Sequence, residues 1–96
     1  MIRHICMFRL KEEDHEAVLE KALKLAEPLA TLPSTTGGQT VTNSSLAPQN
    51  NYDLCLIYDF NTIDDLNNYQ NDPVHLEFKN YVVAHMSDRA CIDYEL

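Results

Sequence analysis

The segment NYQNDPVHLEF, residues 68–78, holds a tyrosine and a histidine whose types and spacing suit acid–base chemistry. An imidazole exchanges protons near neutral pH, and a phenol donates a hydrogen bond to a carbonyl oxygen. Asp72 and Pro73 are typical of a helix start, with aspartate as N-cap and proline as the first helical residue. Because a helix N-terminus disfavours imidazolium, the pattern predicts a neutral His75 that accepts a proton, with Tyr69 beside it.

The same residues have a structural interpretation that the sequence leaves open. His75 can be a solvent-facing residue of the first helical turn, and Tyr69 can simply pack its ring. His4 lies on the strand face expected to meet the helices, where it either lines a pocket or is a satisfied core residue. His15 and His85 fall in helical stretches predicted to be exposed and are given no role. Four apolar positions are interpreted as pocket wall or plain core: Phe8, Leu54, Leu56 and Phe60.

Length and charge bound the class of protein. The 96 residues make one domain, and the net charge of -8 argues against binding to nucleic acid or anionic membranes. The start, MIRHICMFRL, lacks the pattern of a signal peptide. No apolar run approaches the ~20 residues of a membrane span. These features predict a cytoplasmic protein.

The three cysteines, Cys6, Cys55 and Cys91, are an odd number without CxxC spacing. Each lies in an apolar, strand-like run, so we predict buried thiols in a reducing compartment. Cys6 and Cys55 fall on opposite faces of strands expected to be neighbours, which makes them poor disulfide partners. The histidines and the scattered carboxylates form no metal-ligand motif, so neither a metal nor a cofactor is predicted.

The elements that must position these side chains follow from hydrophobic periodicity. Alternating or β-rich patterns predict four strands: residues 2–10, 39–46, 52–60 and 87–96. Helical spacing and capping residues predict three helices: residues 11–32, from Thr62 to about 69, and from 73 to about 85. Pro28 predicts a kink or early end in the first of them. The order β-α-β-β-α-β predicts an α+β, ferredoxin-like subunit with a four-stranded antiparallel sheet.

The predicted first and third strands are apolar on both faces. Helices in such a fold cover one face of the sheet, and these elements use the whole chain. We therefore predict a homodimer in which two sheets pack through the faces away from the helices, giving a dimeric α/β barrel.

Several stretches resemble a known family: IRHICMFRLK, YDLCLIYDF, DLNNYQNDPVHLEF and CIDYEL. They are similar to the stress-responsive A/B-barrel domain family, often called Dabb, over residues 2 to 95. The most specific features are the first-strand histidine, the pattern Tyr-x3-Pro-x-His and the closing Asp93-Tyr94. The resemblance implies a single such domain over residues 1–96, with a ferredoxin-like subunit and a homodimeric barrel.

The family's activities are more varied than its fold. Many members have no known activity, whereas plant members include stress-induced proteins and polyketide cyclases similar to olivetolic acid cyclase. In those cyclases a histidine matching His75 acts as base in an aldol closure, a tyrosine matching Tyr69 holds the substrate, and a histidine matching His4 lines the cavity. The cyclases have a further histidine where this chain has Leu54, which is a departure from their pattern. Some plant members bind a divalent metal.

Three functions are compatible with these patterns. The first is a small-molecule site between sheet and helices, in which His75 and Tyr69 are catalytic and His4, Phe8, Leu54 and Leu56 contact the ligand; its most ambitious form is an acid–base cyclase or isomerase acting on a carbonyl compound. The second is a non-catalytic dimeric stress or accessory protein. The third is a cofactor-free monooxygenase, ranked lower because the chain lacks tryptophan and a clear polar cluster. Whether the chain is an enzyme stays open.

Overall fold

Four strands and three α-helices make up the chain in a computed structural model that describes residues 1–96. The elements are β1 (Ile2–Leu10), α1 (His15–Ala26), a 3₁₀ helix (Glu27–Thr31), β2 (Gly37–Thr42), β3 (Leu54–Phe60), α2 (Ile63–Asn71), α3 (Pro73–His85) and β4 (Met86–Glu95). The strands form one antiparallel sheet in the order β2-β3-β1-β4. This topology confirms the predicted ferredoxin-like subunit. None of the helices has the length and apolarity that crossing a membrane requires.

The core lies between the helices and one face of the sheet. Strict alternation along β1 and β3 sends every second side chain into it, as the sequence predicts: His4, Cys6, Phe8 and Leu10 from β1, and Leu54, Leu56, Tyr58 and Phe60 from β3. The helices contribute residues at helical spacing, including Val18 and Ala22 from α1 and Phe78 and Val82 from α3. Burial of these side chains holds α3 over the part of the sheet that carries His4.

The helix boundaries follow from local backbone chemistry. Asp72 caps α3, because its Oδ1 accepts a hydrogen bond from the Val74 N–H at 2.9 Å, and Thr62 Oγ1 accepts one from the Asp65 N–H at 3.1 Å. Both predicted caps are therefore confirmed, although α2 continues two residues beyond Tyr69. The predicted early end of the long helix at Pro28 is also confirmed, since α1 gives way to a 3₁₀ helix at Glu27.

The first helix begins at His15 and not at residue 11, because Asp14 takes a left-handed conformation with φ of 54°. His15 Nε2 lies 2.9 Å from Asp53 Oδ1, and the other oxygen of Asp53 accepts the Leu10 N–H at 2.8 Å. Asp53 thus ties the start of α1 to the end of β1. The prediction that His15 and His85 are exposed is wrong, since both are half-buried. His85 packs on Tyr81 with 4.6 Å between ring centroids.

The second strand is displaced from its predicted range of 39–46. It begins at Gly37, whose φ of 130° suits glycine, and it ends at Thr42. A Cβ at Gly38 would collide with the Ile57 carbonyl oxygen and the Tyr58 ring. Gly38 therefore permits close approach to β3 and Gly37 permits the positive φ, whereas the sequence pattern placed both in a loop.

The prediction of three buried free thiols is wrong. Cys6 lies directly opposite Cys91 in the β1–β4 pair, and their sulfur atoms are in bonding contact. Cys6 is 2% exposed, whereas Cys91 lies on an edge strand that no helix covers and is exposed. Cys55 is the free, half-buried cysteine, and it is not a partner of Cys6, as predicted. The pairing depends on the register of β4 against β1, which the sequence pattern of either strand alone does not reveal.

The sheet face away from the helices has no cover within the chain. Ile92 is 60% exposed and Tyr94 39% exposed on this face, next to the half-buried Ile5. At one end, Arg3 donates two hydrogen bonds to the carboxylate of Asp59, at 2.9 and 3.0 Å. The face is thus an apolar surface with a charged pair at its end.

Candidate functional site

A pocket of about 280 Å³ opens between α3 and the strands β1 and β4. Its floor comes from the buried face of β1, and its sides come from α3, the last turn of α2 and the start of β4. The wall mixes apolar and polar side chains: His4, Cys6, Phe8, Leu56, Gln70, Asn71, His75, Leu76, Phe78, Lys79, Val83, Met86 and Arg89. Two imidazoles therefore face one small cavity from opposite elements.

His75 is placed by the first turn of α3, which the Asp72 cap and Pro73 fix. It is 8% exposed, and its Nδ1 is buried without a hydrogen-bond partner. Burial is the main cause that lowers the pKa of His75 to about 4, with smaller contributions from the positive charges of His4 and Lys79. The imidazole is therefore neutral at pH 7, as the sequence predicts, although burial and not the helix terminus is the main reason.

Tyr69 lies behind His75, with 4.6 Å between the two ring centroids. Its side chain is fully buried among aromatic rings, with Phe60 at 4.9 Å and Tyr58 at 5.7 Å between centroids. Its hydroxyl has no hydrogen-bond partner, and burial raises the pKa of the phenol above its ordinary value. Tyr69 does not line the pocket itself, so its route to a ligand runs through the His75 ring.

His4 is held from the opposite side by Asp93. Its Nδ1–H donates to Asp93 Oδ1 at 2.5 Å, across directly opposed positions of β1 and β4. A carboxylate on one ring nitrogen fixes the tautomer and the ring orientation, which leaves Nε2 as the free atom. His4 is 3% exposed and lies 6.1 Å from Tyr69 between ring centroids.

The structure brings most of the predicted residues to one place. His75, His4, Phe8 and Leu56 line the pocket, and Tyr69 stacks behind it. Leu54 does not line this pocket and is a core residue that is 1% exposed.

Sequence reasoning missed the polar residues Gln70, Asn71, Lys79 and Arg89, and it missed Asp93 as the partner of His4. Alternation along the last strand could have identified Asp93, because it places this residue on the same face as His4 once the strand lies antiparallel to β1. Nothing in the sequence pattern distinguished Lys79 from the other exposed residues of α3.

Neither the pocket nor its surroundings form a metal centre. No group of three or more His, Cys, Asp or Glu side chains converges closely enough to hold a metal ion. A larger cavity of about 440 Å³, lined by residues such as Met7, Tyr52 and Cys55, carries no histidine. A third cavity of about 470 Å³ holds His15 and Asp53, which already contact each other at 2.9 Å. The smaller pocket is therefore the one whose wall carries an unpaired histidine nitrogen.

The chemical capacity of the pocket is proton exchange. It combines a neutral imidazole with an unpaired nitrogen, an unpaired phenol behind it, and a second imidazole oriented by a carboxylate. Groups of this kind accept and return protons in general acid–base reactions. Apolar side chains such as Phe8 and Phe78 line the same space.

Comparison with known proteins agrees with this architecture. A dimeric ferredoxin-like protein of unknown function from Thermobifida fusca YX has a TM-score of 0.88 at 25% identity, covering 99% of this chain and 90% of that chain. A hydroxynitrile lyase from Passiflora edulis has a TM-score of 0.81 at 18% identity, with coverages of 99% and 92%. A putative antibiotic biosynthesis monooxygenase from Nitrosomonas europaea has a TM-score of 0.80 at 18% identity, with coverages of 100% and 98%.

Sequence comparison is decisive for the family. A search of curated proteins finds no match. The model of the stress responsive A/B barrel domain, Dabb, matches residues 2–96. The match includes Tyr69, His75 and the closing Asp93-Tyr94, on which the resemblance rests. The chain belongs to the stress-responsive A/B-barrel domain family.

Proposed function

We propose that the pocket binds a small carbonyl-containing molecule and that His75 exchanges a proton with it. The observation that carries the proposal is a pair of orphaned polar atoms, the Tyr69 hydroxyl and His75 Nδ1, buried in adjacent rings at the pocket wall. Buried polar atoms without partners are rare in proteins, because each costs free energy. A bound ligand that moves the His75 ring would bring Nδ1 and the Tyr69 hydroxyl together, which accounts for the retention of both.

The wall suits a compact, largely apolar ligand. The volume of about 280 Å³ is at the small end of ligand sites. Phe8, Leu56 and Phe78 supply an apolar surface for the body of the molecule, while His4 and His75 supply the polar contacts. Lys79 and Arg89 contribute positive charge at the exposed part of the wall, whereas the three apolar side chains would desolvate a charged group deeper in the pocket. The reacting part of the ligand is therefore proposed to be uncharged.

The proposed chemistry is proton transfer next to the carbonyl. Neutral His75 takes a proton from the carbon adjacent to the carbonyl group. His4, protonated on both ring nitrogens, donates Nδ1–H to Asp93 and Nε2–H to the carbonyl oxygen, where negative charge develops. Tyr69 acts through His75, sharing a proton with its unpaired nitrogen once a ligand has moved the ring. An aldol closure and an isomerisation both begin with this step.

The structural neighbours do not select one reaction. A hydroxynitrile lyase and a putative monooxygenase share the fold at 18% identity each, and fold likeness at that level does not transfer chemistry. The competing function is a non-catalytic accessory protein. The exposed Lys79 and Arg89 at the pocket also fit a binding site that holds a ligand without converting it.

Binding is tested by NMR titration of the protein with a panel of aryl methyl ketones and β-diketones. We expect chemical-shift changes at His4 and His75, and an affinity at least about tenfold weaker in His75→Ala. His85→Ala is the matched control, because His85 is a half-buried histidine of the same helix outside the pocket. Equal affinities in the two variants, or shifts confined to other residues, would remove the proposal.

The dimer proposed for this chain uses the open sheet face. Its support is the exposed apolar side chains on that face, Ile92 and Tyr94 among them, together with the dimeric state given for the Thermobifida protein. We expect Ile92→Glu to halve the mass measured by light scattering at micromolar concentration. Leu46→Glu is the control, since Leu46 is 96% exposed in the loop before β3. A dimer that survives Ile92→Glu unchanged would place the interface elsewhere.

A further inference from the structure

We infer that Cys6 and Cys91 form a redox-active pair, a dithiol that a hydroperoxide oxidises reversibly to a disulfide in the pocket wall. The two residues are directly opposed in the antiparallel β1–β4 pair, and their Cα atoms are 4.1 Å apart. Their side chains leave the sheet on the same side, with the sulfur atoms in bonding contact. The strand register therefore places the two cysteines side by side, where they can pair. This inference does not depend on the proposed acid–base function.

The two sulfur atoms are unequal in access, which suits an attacking thiol and a resolving thiol. Cys91 is exposed on the edge strand β4, whereas Cys6 is 2% exposed beneath α3. Arg89 lies two residues from Cys91 on the same face of β4, and its positive charge favours a thiolate. On the other side, Asp93 is engaged by His4. Cys91 is therefore the thiol that meets an oxidant first.

The third cysteine has neither feature. Cys55 is half-buried on the opposite sheet face and has no cysteine opposite it in the sheet, since its cross-strand neighbours are Met7 and Val41. Burial raises the pKa of the Cys55 thiol above its ordinary value, which lowers its thiolate fraction at pH 7. Cys55 thus supplies an internal comparison for any reagent that oxidises thiols without selectivity.

The proposed oxidation balances in two steps. The Cys91 thiolate attacks the distal oxygen of a hydroperoxide, which breaks the O–O bond and, with one proton taken up, gives Cys91 sulfenic acid and an alcohol or water. The Cys6 thiol then displaces the sulfenic hydroxyl, which leaves as water, and the S–S bond forms. Two molecules of a small thiol such as glutathione return the pair to the dithiol and become its disulfide.

The bond would act on the pocket because both strands contribute to the wall. Cys6 lines the pocket, and β4 carries Arg89 on the wall and Asp93 behind His4. Apart from its pairing with β1, β4 has no neighbouring strand and stays at the sheet edge. A covalent link between Cys6 and Cys91 therefore prevents β4 from separating and keeps Asp93 on His4.

The test measures thiols in the full-length protein before and after oxidation. Reduced protein is treated with hydrogen peroxide, unfolded, alkylated and examined by peptide mass spectrometry. We expect two of the three thiols to be lost, a single crosslinked peptide pair containing Cys6 and Cys91, and full recovery in 5 mM glutathione (about the cellular scale). The link closes a segment spanning 85 residues, so Tm should rise by at least about 10 °C on oxidation.

Two variants separate this result from nonspecific oxidation. Cys55→Ser should keep the crosslink and the Tm rise, whereas Cys91→Ser, at an exposed position, should fold and lose both. The inference fails if all three thiols stay alkylatable after peroxide, or if the crosslink involves Cys55. A Cys6–Cys91 bond that resists glutathione in the folded protein would also overturn it, because the bond would then be a permanent structural one.

Discussion

The two walls of the pocket differ in how their polar groups are satisfied. On the strand side, His4 is hydrogen-bonded to Asp93, and the register of β1 against β4 holds both residues. On the helix side, His75 Nδ1 and the Tyr69 hydroxyl are buried without partners. One wall is complete in the free protein, whereas the other lacks the contacts that a ligand would supply. Under the proposed function, the helix side is the part of the site that ligand binding would change.

The same contrast appears in the electrostatics. Burial opposes protonation of His75, and a positive charge on His4 opposes it further. His4, on the strand side of the pocket, therefore helps to keep His75, on the helix side, neutral. A site in which one imidazole is held by a carboxylate and the other is kept uncharged assigns different roles to the two histidines.

The largest expected effect is a pH dependence of stability that comes from His75. Its pKa falls from 6.5 in the unfolded chain to about 4 in the folded one. The unfolded state takes up the proton first as pH falls, so stability is full above pH 6.5 and declines down to about pH 4. The loss attributable to His75 is about 3 kcal/mol. Urea unfolding at pH 7, 5.5 and 4.5 measures it as the difference between the wild-type protein and His75→Gln.

His85→Gln supplies the comparison for that titration. His85 is half-buried and stacks on Tyr81, but it lies outside the pocket. In His85→Gln, the free energy of unfolding should depend on pH as steeply as in the wild-type protein, whereas His75→Gln should flatten that dependence. If stability depended on pH equally in the wild-type protein and in His75→Gln, burial would not be what lowers the pKa of His75.

A smaller effect on stability is expected from removing the hydrogen bond between His4 and Asp93. Asp93→Ala leaves the buried His4 Nδ1 without its acceptor, which should cost about 2 kcal/mol of stability in chemical unfolding. Glu95→Ala is the control, because Glu95 lies on the same face of the same strand and is exposed. Equal stabilities of the two variants would indicate that the His4–Asp93 contact is not maintained in solution.

The smallest expected effect is a change in stability that has opposite signs for two buried tyrosines of the aromatic cluster, Tyr69 and Tyr58. Tyr69→Phe removes an unpaired buried hydroxyl and should raise stability by about 1 kcal/mol. Tyr58→Phe removes a hydroxyl that is 3.0 Å from Thr40 Oγ1 and should lower stability by about 1 kcal/mol. Thermal unfolding of the two variants measures whether each change in stability is positive or negative. Destabilisation by Tyr69→Phe would mean that its hydroxyl has a partner in solution.

Much of the fold was predictable because the strands of the core alternate strictly. In β1 from His4 onward and in β3, every second residue is buried, so parity assigned the faces. Capping residues assigned the starts of α2 and α3. The failures lie where pairing between distant segments decides. Gly37 and Gly38 look like loop residues until β3 is placed beside them. Cys91 looks like a buried thiol until β4 is known to be an exposed edge.

The site was predictable in its residue types but not in its geometry. The spacing of Tyr69, Pro73 and His75 was sufficient to find the helix wall, and strand parity was sufficient to place His4 inward. Sequence patterns could not show that Tyr69 lies behind His75 and outside the pocket lining, because this depends on how α2 packs against the sheet. They also could not show that Leu56 lines the pocket and Leu54 does not, because both residues point to the same face of β3 and are equally buried.

The most direct test of the central claim is the rate of deuterium exchange into the methyl group of a bound aryl methyl ketone, followed by ¹H NMR in D₂O near neutral pH. If His75 takes the proton next to the carbonyl, the wild-type protein accelerates exchange and His75→Ala is slower by at least about 100-fold. His85→Ala should match the wild-type rate. Rates that agree between the wild-type protein and His75→Ala, or exchange no faster than in buffer for a ketone that binds the pocket, would contradict the account.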